Sequence, residues 1–364
     1  MPDTDLCGKR LIFTGQDGGT CWFNAILIST LYSQKSRTKV MQTSRKWDTN
    51  IEIYNILNHI LRHKYVKSKK PEKDMDFFNK HITPEYILKT LHKYDSHKFM
   101  LSDFSKGFLS YLYIRSFYEL LGLSCLMLIV IPDNFDMINI MYDIYNVPPS
   151  VQISNDSMIH TTYHLQDGDI VDDELNSAPD ILILRSTDKE YKNSYYRKIL
   201  FKNDFYDIYD EDNINNLLSM NDTIIFNKET YDLDSVIVLN IDGNSFHIIA
   251  GVTCKGKRYV YNGWKNEEDG RPDKPCELMQ FDWDVNVNNE FCLDPIRCHL
   301  HNQHGDDFCY SFATGDRILI YVKRNKSLSS QLSSPNYSIT PEYVSYEAKT
   351  LNSKTLKNIQ DKID

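Results

Sequence analysis

Hydrophobic and polar residues follow two different periods along the chain, and the change comes near Ser124. Before it, apolar positions recur every three or four residues. In CWFNAILISTLY, the residues Trp22, Ile26, Leu27, Thr30 and Leu31 share helical spacing, which predicts a buried helix beginning at Cys21. The same period predicts helices across NIEIYNILNHILRHKY (50–65), TPEYILKTLHKY (83–94) and LSYLYIRSFYELLG (109–122). Thr83 is placed to cap the second of these, with Pro84 in its first turn. After Ser124 the apolar residues gather into runs of strand length: SCLMLIVI, PDILILR, DSVIVLNI, FHIIAGV, RYVYNGW and RILIYVK. A further short strand is predicted at RLIFT (10–14). Helices first and strands later predict an α+β class.

Two stretches interrupt this pattern. Residues 186–233 are polar and rich in Asp, Asn and Tyr, which reads as an irregular insertion or a cover over one face. After Arg324, NKSLSSQLSSPNYS is a Ser-rich linker, and Thr340 with Pro341 begins a last helical segment. The expected layout is therefore one domain over 1–324, containing the insertion, followed by a linker and helical tail over 325–364. No internal repeat is visible.

Composition narrows the class. The 364 residues are 41% hydrophobic and 25% charged, enough for a folded protein with a large core. A formal charge of -9 argues against sequence-independent nucleic-acid binding, which needs surplus Lys and Arg. The start MPDTDLCGKR has no basic and apolar leader, and the longest apolar run, LLGLSCLMLIVI, is too short to span a bilayer. A protein of the cell interior is expected, without a membrane partner. Reduced thiols are the default reading for its eight cysteines, which lie far apart.

One stretch carries candidate chemistry. In GQDGGTCWFNA, a Gly-rich turn feeds the predicted helix at Cys21. A thiol in the first turn of a helix meets free N–H groups and the positive end of the dipole, both of which favour thiolate. Gly18 and Gly19 let a substrate backbone approach, while Gln16 can offer its amide beside the Cys21 N–H as an oxyanion donor. A cysteine nucleophile needs a histidine base that is distant in sequence and near in space. His247 begins an apolar strand, and RYVYNGW returns as its partner; if residues 253–256 form a four-residue loop, Asn262 falls directly opposite His247. Directly opposed side chains lie about 5 Å apart at Cβ, within reach for an amide to orient an imidazole.

These residues, in the order Cys, His, Asn, resemble the papain-like cysteine peptidases. The Cys21-Trp22 pair and Asn262-Gly263-Trp264 are similar to the papain group, GGTCWFNAILISTLY resembles the cysteine box of ubiquitin-specific peptidases, and the Gln-to-Cys and His-to-Asn spacings resemble the Josephin deubiquitinases. The resemblance covers two boxes. It implies a papain-like α+β fold in which a helical part carrying the Cys21 helix packs on an antiparallel sheet carrying the His247-Asn262 hairpin. It also implies thiol hydrolysis of an amide or isopeptide bond, with ubiquitin or a ubiquitin-like protein as substrate. By the same resemblance, Trp264 screens the His-Asn hydrogen bond, while Gly18, Gly19, Trp22 and Trp264 line the substrate cleft. No cofactor is implied. The composition and the divergent boxes also resemble proteins of large DNA viruses, which would place the protein in host cytoplasm or virion. His247 lacks the flanking Gly and Tyr of ubiquitin-specific peptidases, and no pair of CxxC zinc knuckles lies between the boxes.

Other readings stand beside this one. A viral precursor-processing protease keeps the chemistry and changes the substrate. An acyltransferase with a cysteine nucleophile also shows GG-x-C at a helix start. A non-catalytic structural protein keeps the fold alone. FCLDPIRCHLHNQHGDDFC offers Cys292, Cys298, His299, His301, His304 and Cys309 as zinc-type ligands, but at a spacing that fits no common finger or ribbon; a polar loop without metal is expected. The basic stretch KYVKSKKPEK is read as a solvated loop.

Overall fold

The computed structural model describes residues 19–63, 80–101, 110–132, 178–188, 196–201, 219–240, 247–263, 278–293 and 309–325. By contacts the chain divides into Met1–Arg324 and Asn325–Asp364. The expected strand at 10–14 and the tail helix lie outside the described residues.

Among the described residues five α-helices come first: α1 (Cys21–Leu31), α2 (Gln34–Thr43), α3 (Glu52–His63), α4 (Pro84–Tyr94) and α5 (Tyr111–Leu120). Eleven strands follow: β1 (Cys125–Pro132), β2 (Ile181–Asp188), β3 (Tyr196–Phe201), β4 (Thr223–Phe226), β5 (Glu229–Asn240), β6 (His247–Cys254), β7 (Lys257–Tyr261), β8 (Leu278–Gln280), β9 (Glu290–Cys292), β10 (Cys309–Ser311) and β11 (Gly315–Lys323). The class is α+β. Nine strands form one sheet in the order β3-β1-β2-β11-β5-β6-β7-β8, with β4 on β5, while β9 and β10 pair by themselves. Only the β1–β2 pair is parallel among the described strands. The stretch 186–233, read from its polarity as an irregular insertion, contributes β3, β4 and the start of β5 to this sheet. No helix among the described residues is long and apolar enough to cross a membrane.

The sheet is buried on both faces, and the strand period of two sorts its side chains into two cores. Ile181, Ile183, Ile318, Ile320, Ala250 and Val252 face the helices. Their neighbours Leu182, Leu184, Leu319, Tyr321 and Ile249 face the opposite side, where Trp283, Phe291, Tyr310 and Phe312 cover them. Helix α1 is buried on every side, as its uniformly apolar composition requires, and packs on β5, β6 and α2. Thr83 caps α4 as expected, its hydroxyl accepting from the Tyr86 N–H.

A bulge ties the helices to the sheet. Pairing of β11 with β5 slips at Asp234, since Ile320 faces Ser235 while Tyr321 faces Leu233. The fully buried Asp234 carboxylate accepts from the backbone N–H groups of Lys35 (2.9 Å) and Ser36 (2.8 Å) at the start of α2, and from the Thr253 hydroxyl on β6 (2.6 Å). The Ser33 hydroxyl donates to the Asp234 carbonyl at 2.7 Å. A carboxylate on unsatisfied helix N–H groups is a favourable pairing, and here it fixes α1 and α2 against β5 and β6.

Candidate active site

Cys21 opens α1, with no acidic side chain in that first turn to occupy the free N–H groups. The thiol receives the backbone N–H groups of Ile248, Trp22 and Cys21 itself, all of which favour thiolate. Burial outweighs them: Cys21 is only 4% exposed, and desolvation pushes its thiol above the ordinary value. The expected thiolate is therefore corrected to a thiol, because loss of water costs the charge more than the helix start returns.

His247 opens β6, one residue before the Ile248 N–H that reaches the Cys21 sulfur. Its ring is buried, and its Nε2 lies 2.7 Å from Asn262 Oδ1. With a carbonyl oxygen as acceptor, Nε2–H donates, so the neutral ring keeps its lone pair on Nδ1. Burial lowers the imidazole pKa from 6.5 to about 4, against the bond to Asn262, which raises it. Thiol and imidazole are both uncharged at neutral pH.

The hairpin that brings His247 and Asn262 together differs in register from the expected one. Cys254 pairs with Lys257 and Ala250 with Tyr261, leaving a two-residue turn at Lys255-Gly256 in place of a four-residue loop. Both turn residues have positive φ, 51° and 69°, as a tight hairpin turn of this hand requires. Continued by one residue, this register puts Asn262 opposite Ile249, two positions from His247. A shift of two preserves the face, so the pair meets diagonally.

Other expected site residues fare differently. Trp22, expected to line the cleft, is 1% exposed and packs edge-on against Tyr113 with ring centroids 4.9 Å apart. It is corrected to a core residue, because every side of α1 faces protein. Gly19 is half-buried, one residue before the Thr20 cap position of the helix. Gln16, Gly18 and Trp264 lie outside the described residues.

Two features escaped the sequence reading. Tyr310, on β10, meets the His247 ring edge-on at 6.4 Å between centroids and is 2% exposed. Its strand is held by a disulfide between Cys292 and Cys309, directly opposed in the β9–β10 pair. Cys254 is also disulfide-bonded, whereas Cys21 and Cys125 are free. The expectation of reduced thiols is thus corrected where strand pairing sets two cysteines face to face. Glu290, Cys292 and Cys309 bring ligand atoms within 4.8 Å of one another, but both sulfurs are committed to the disulfide. Cys298, His299, His301 and His304 lie outside the described residues.

Gly251, on the same face of β6 as His247, explains how the cover docks. A Cβ there would meet Phe312 at 2.7 Å and Trp283 at 2.8 Å, so only glycine admits these rings against the strand. Trp283 and Phe312 stack at 5.7 Å, and the Arg258 guanidinium lies over the indole at 4.4 Å.

No family model and no curated protein matches the chain. Among solved structures it is similar to the SAGA Ubp8/Sgf11/Sus1/Sgf73 DUB module bound to monoubiquitin, with 11% identity over 87% of this chain and 70% of that one, at a TM-score of 0.37. The same module bound to ubiquitin aldehyde gives 10% identity over 88% and 71%, at 0.39. An essential yeast splicing factor gives 11% over 88% and 74%, at 0.35. At these scores the likeness is too slight to bear on fold or chemistry.

Proposed function

We propose that this protein is a papain-like thiol hydrolase acting on amide or isopeptide bonds, with Cys21 as nucleophile, His247 as base and Asn262 as the group that orients it. The observation that carries the reading is the buried 2.7 Å contact of His247 Nε2 with Asn262 Oδ1, beside a helix-start cysteine that receives the neighbouring Ile248 N–H. That bond leaves Nδ1 as the basic nitrogen. Because both groups rest uncharged, the thiol proton passes to His247 Nδ1 as Sγ adds to the carbonyl carbon. The proton then goes to the leaving amine as the C–N bond breaks, and water hydrolyses the resulting thioester. The Gln16 side-chain amide and the Cys21 backbone N–H are the proposed donors to the oxyanion.

Ubiquitin or a ubiquitin-like tail is the proposed substrate, on the resemblance of the Cys21 and His247 boxes alone. The test is covalent labelling with a ubiquitin C-terminal electrophile, read by intact mass. One adduct that disappears in Cys21→Ala and weakens in His247→Ala supports nucleophile and substrate together. No adduct, with a small alkylating reagent still selecting Cys21, removes the substrate and keeps the nucleophile.

A second reading, a non-catalytic protein that keeps the fold, is favoured by one observation: Cys21 and His247 are buried and uncharged. A Cys21 that reacts no faster than Cys125 selects this reading.

A further inference from the structure

Tyr310 has a buried hydroxyl at the site that the proposed triad leaves unused. Its Oη has no hydrogen-bond partner among the described residues. A buried donor without an acceptor is costly and rare, and it calls for an explanation. The surroundings make adjustment difficult. Tyr310 lies between Cys309, stapled to Cys292, and Phe312, which seats with Trp283 against Gly251. Its ring meets the His247 imidazole edge-on. A fixed donor beside the proposed base, lacking an acceptor at rest, fits an acceptor that arrives with the substrate.

We propose that Tyr310 Oη donates a hydrogen bond to the substrate carbonyl oxygen and holds it as an oxyanion while Cys21 Sγ adds to the carbonyl carbon. The proposal rests on the thiol-hydrolase reading and adds a donor carried by β10. In the step, the C–S bond forms, the carbonyl π pair moves onto oxygen and the thiol proton moves to His247. Tyr310 keeps its own proton throughout. When the tetrahedral adduct collapses, the oxygen pair re-forms the carbonyl, the C–N bond breaks and the amine leaves with the proton from His247. Burial pushes the Tyr310 phenol well above its ordinary range, so it stays a donor at neutral pH. Such a donor is oriented before the reaction begins, the condition under which hydrogen bonds act most strongly on a developing charge.

Two reagents on the full chain separate this role from others. p-Nitrophenyl acetate acylates a thiolate through an oxyanion, whereas iodoacetamide alkylates it at a saturated carbon without one. Rates at Cys21 are measured with both for wild type, Tyr310→Phe and Cys21→Ala, together with melting temperatures. Tyr310→Phe is expected to slow Cys21 acylation by about 100-fold, the loss typical of one oxyanion donor, and to leave alkylation within about twofold. Removing an unpartnered oxygen is expected to leave the melting temperature unchanged or raised. An unchanged acylation rate overturns the proposal. A fall shared equally by alkylation also overturns it, since Tyr310 then acts through His247, and so does a lowered melting temperature, since the hydroxyl then has a partner at rest. Wild type without Cys21-dependent acylation overturns the thiol-hydrolase reading and this proposal with it.

Discussion

The two faces of the central sheet are covered by different means. On one, helices lay down a continuous apolar layer, with α1 buried on every side and the start of α2 tied to the sheet by Asp234. On the other, short strands and single aromatic rings do the work: Trp283 and Phe312 seat on Gly251, and a disulfide staples the three-residue strands β9 and β10. The first cover is secured by regular secondary structure, the second by individual close contacts. The proposed site draws on both. Cys21 comes from the helical side, whereas His247, Asn262 and Tyr310 belong to the other, so its geometry depends on each cover holding its place against β6.

The largest effect should come from detaching the helical side. Asp234→Ala leaves two helix N–H groups and the Thr253 hydroxyl without their carboxylate, and should cost about 3–5 kcal/mol in urea denaturation. Asp234→Asn should cost less. On the opposite side, replacing Cys292 and Cys309 together by alanine removes a bridge of sequence separation 17, worth about 3 kcal/mol by loop closure. That loss should fall on the cover itself: hydrogen exchange should rise at β9 and β10 and stay unchanged in α1. Equal exchange in both regions would dissolve the distinction between the two covers.

Acid should act where the faces meet. His247 has a folded pKa of about 4 against 6.5 when unfolded, so between these values the unfolded state binds more protons and stability rises with pH. The contribution is fully present above pH 6.5 and is lost as pH falls towards 4, by about 3 kcal/mol in all. Comparing denaturation at pH 7 and pH 4 checks it, and His247→Gln should flatten the dependence. The smallest effect should be Gly251→Ala, which forces Phe312 and Trp283 off the strand at about 1–3 kcal/mol.

Residues whose role follows from local pattern were legible in sequence. The unbroken apolar runs ILIL of β2 and ILIYV of β11 mark two-sided strands, and Thr83-Pro84 marks a helix start. Cys21, His247 and Asn262 stand out by residue type and order. Helix α2 did not, because QKSRTKVMQT is mostly polar; it forms where Asp234 meets its first turn and buried Arg37 donates to the carbonyls of Leu31 and Leu61. The hairpin register is hidden at Lys255, since a lysine at positive φ gives little turn signal. Tyr310 carried no signal, as three-residue strands have too little period to detect and its contact with His247 spans 63 positions of the chain. Contacts set by distant pairings are what a linear pattern lacks.

The most direct test of the central claim is peptide-resolved alkylation of native protein by iodoacetamide, comparing Cys21 with Cys125, the other free cysteine among the described residues. Cys125 is the more exposed of the two, so exposure alone would make it react faster. The account predicts the reverse, with Cys21 alkylated first and its advantage lost in His247→Ala. Alkylation of Cys125 ahead of Cys21, unaffected by His247→Ala, would contradict it.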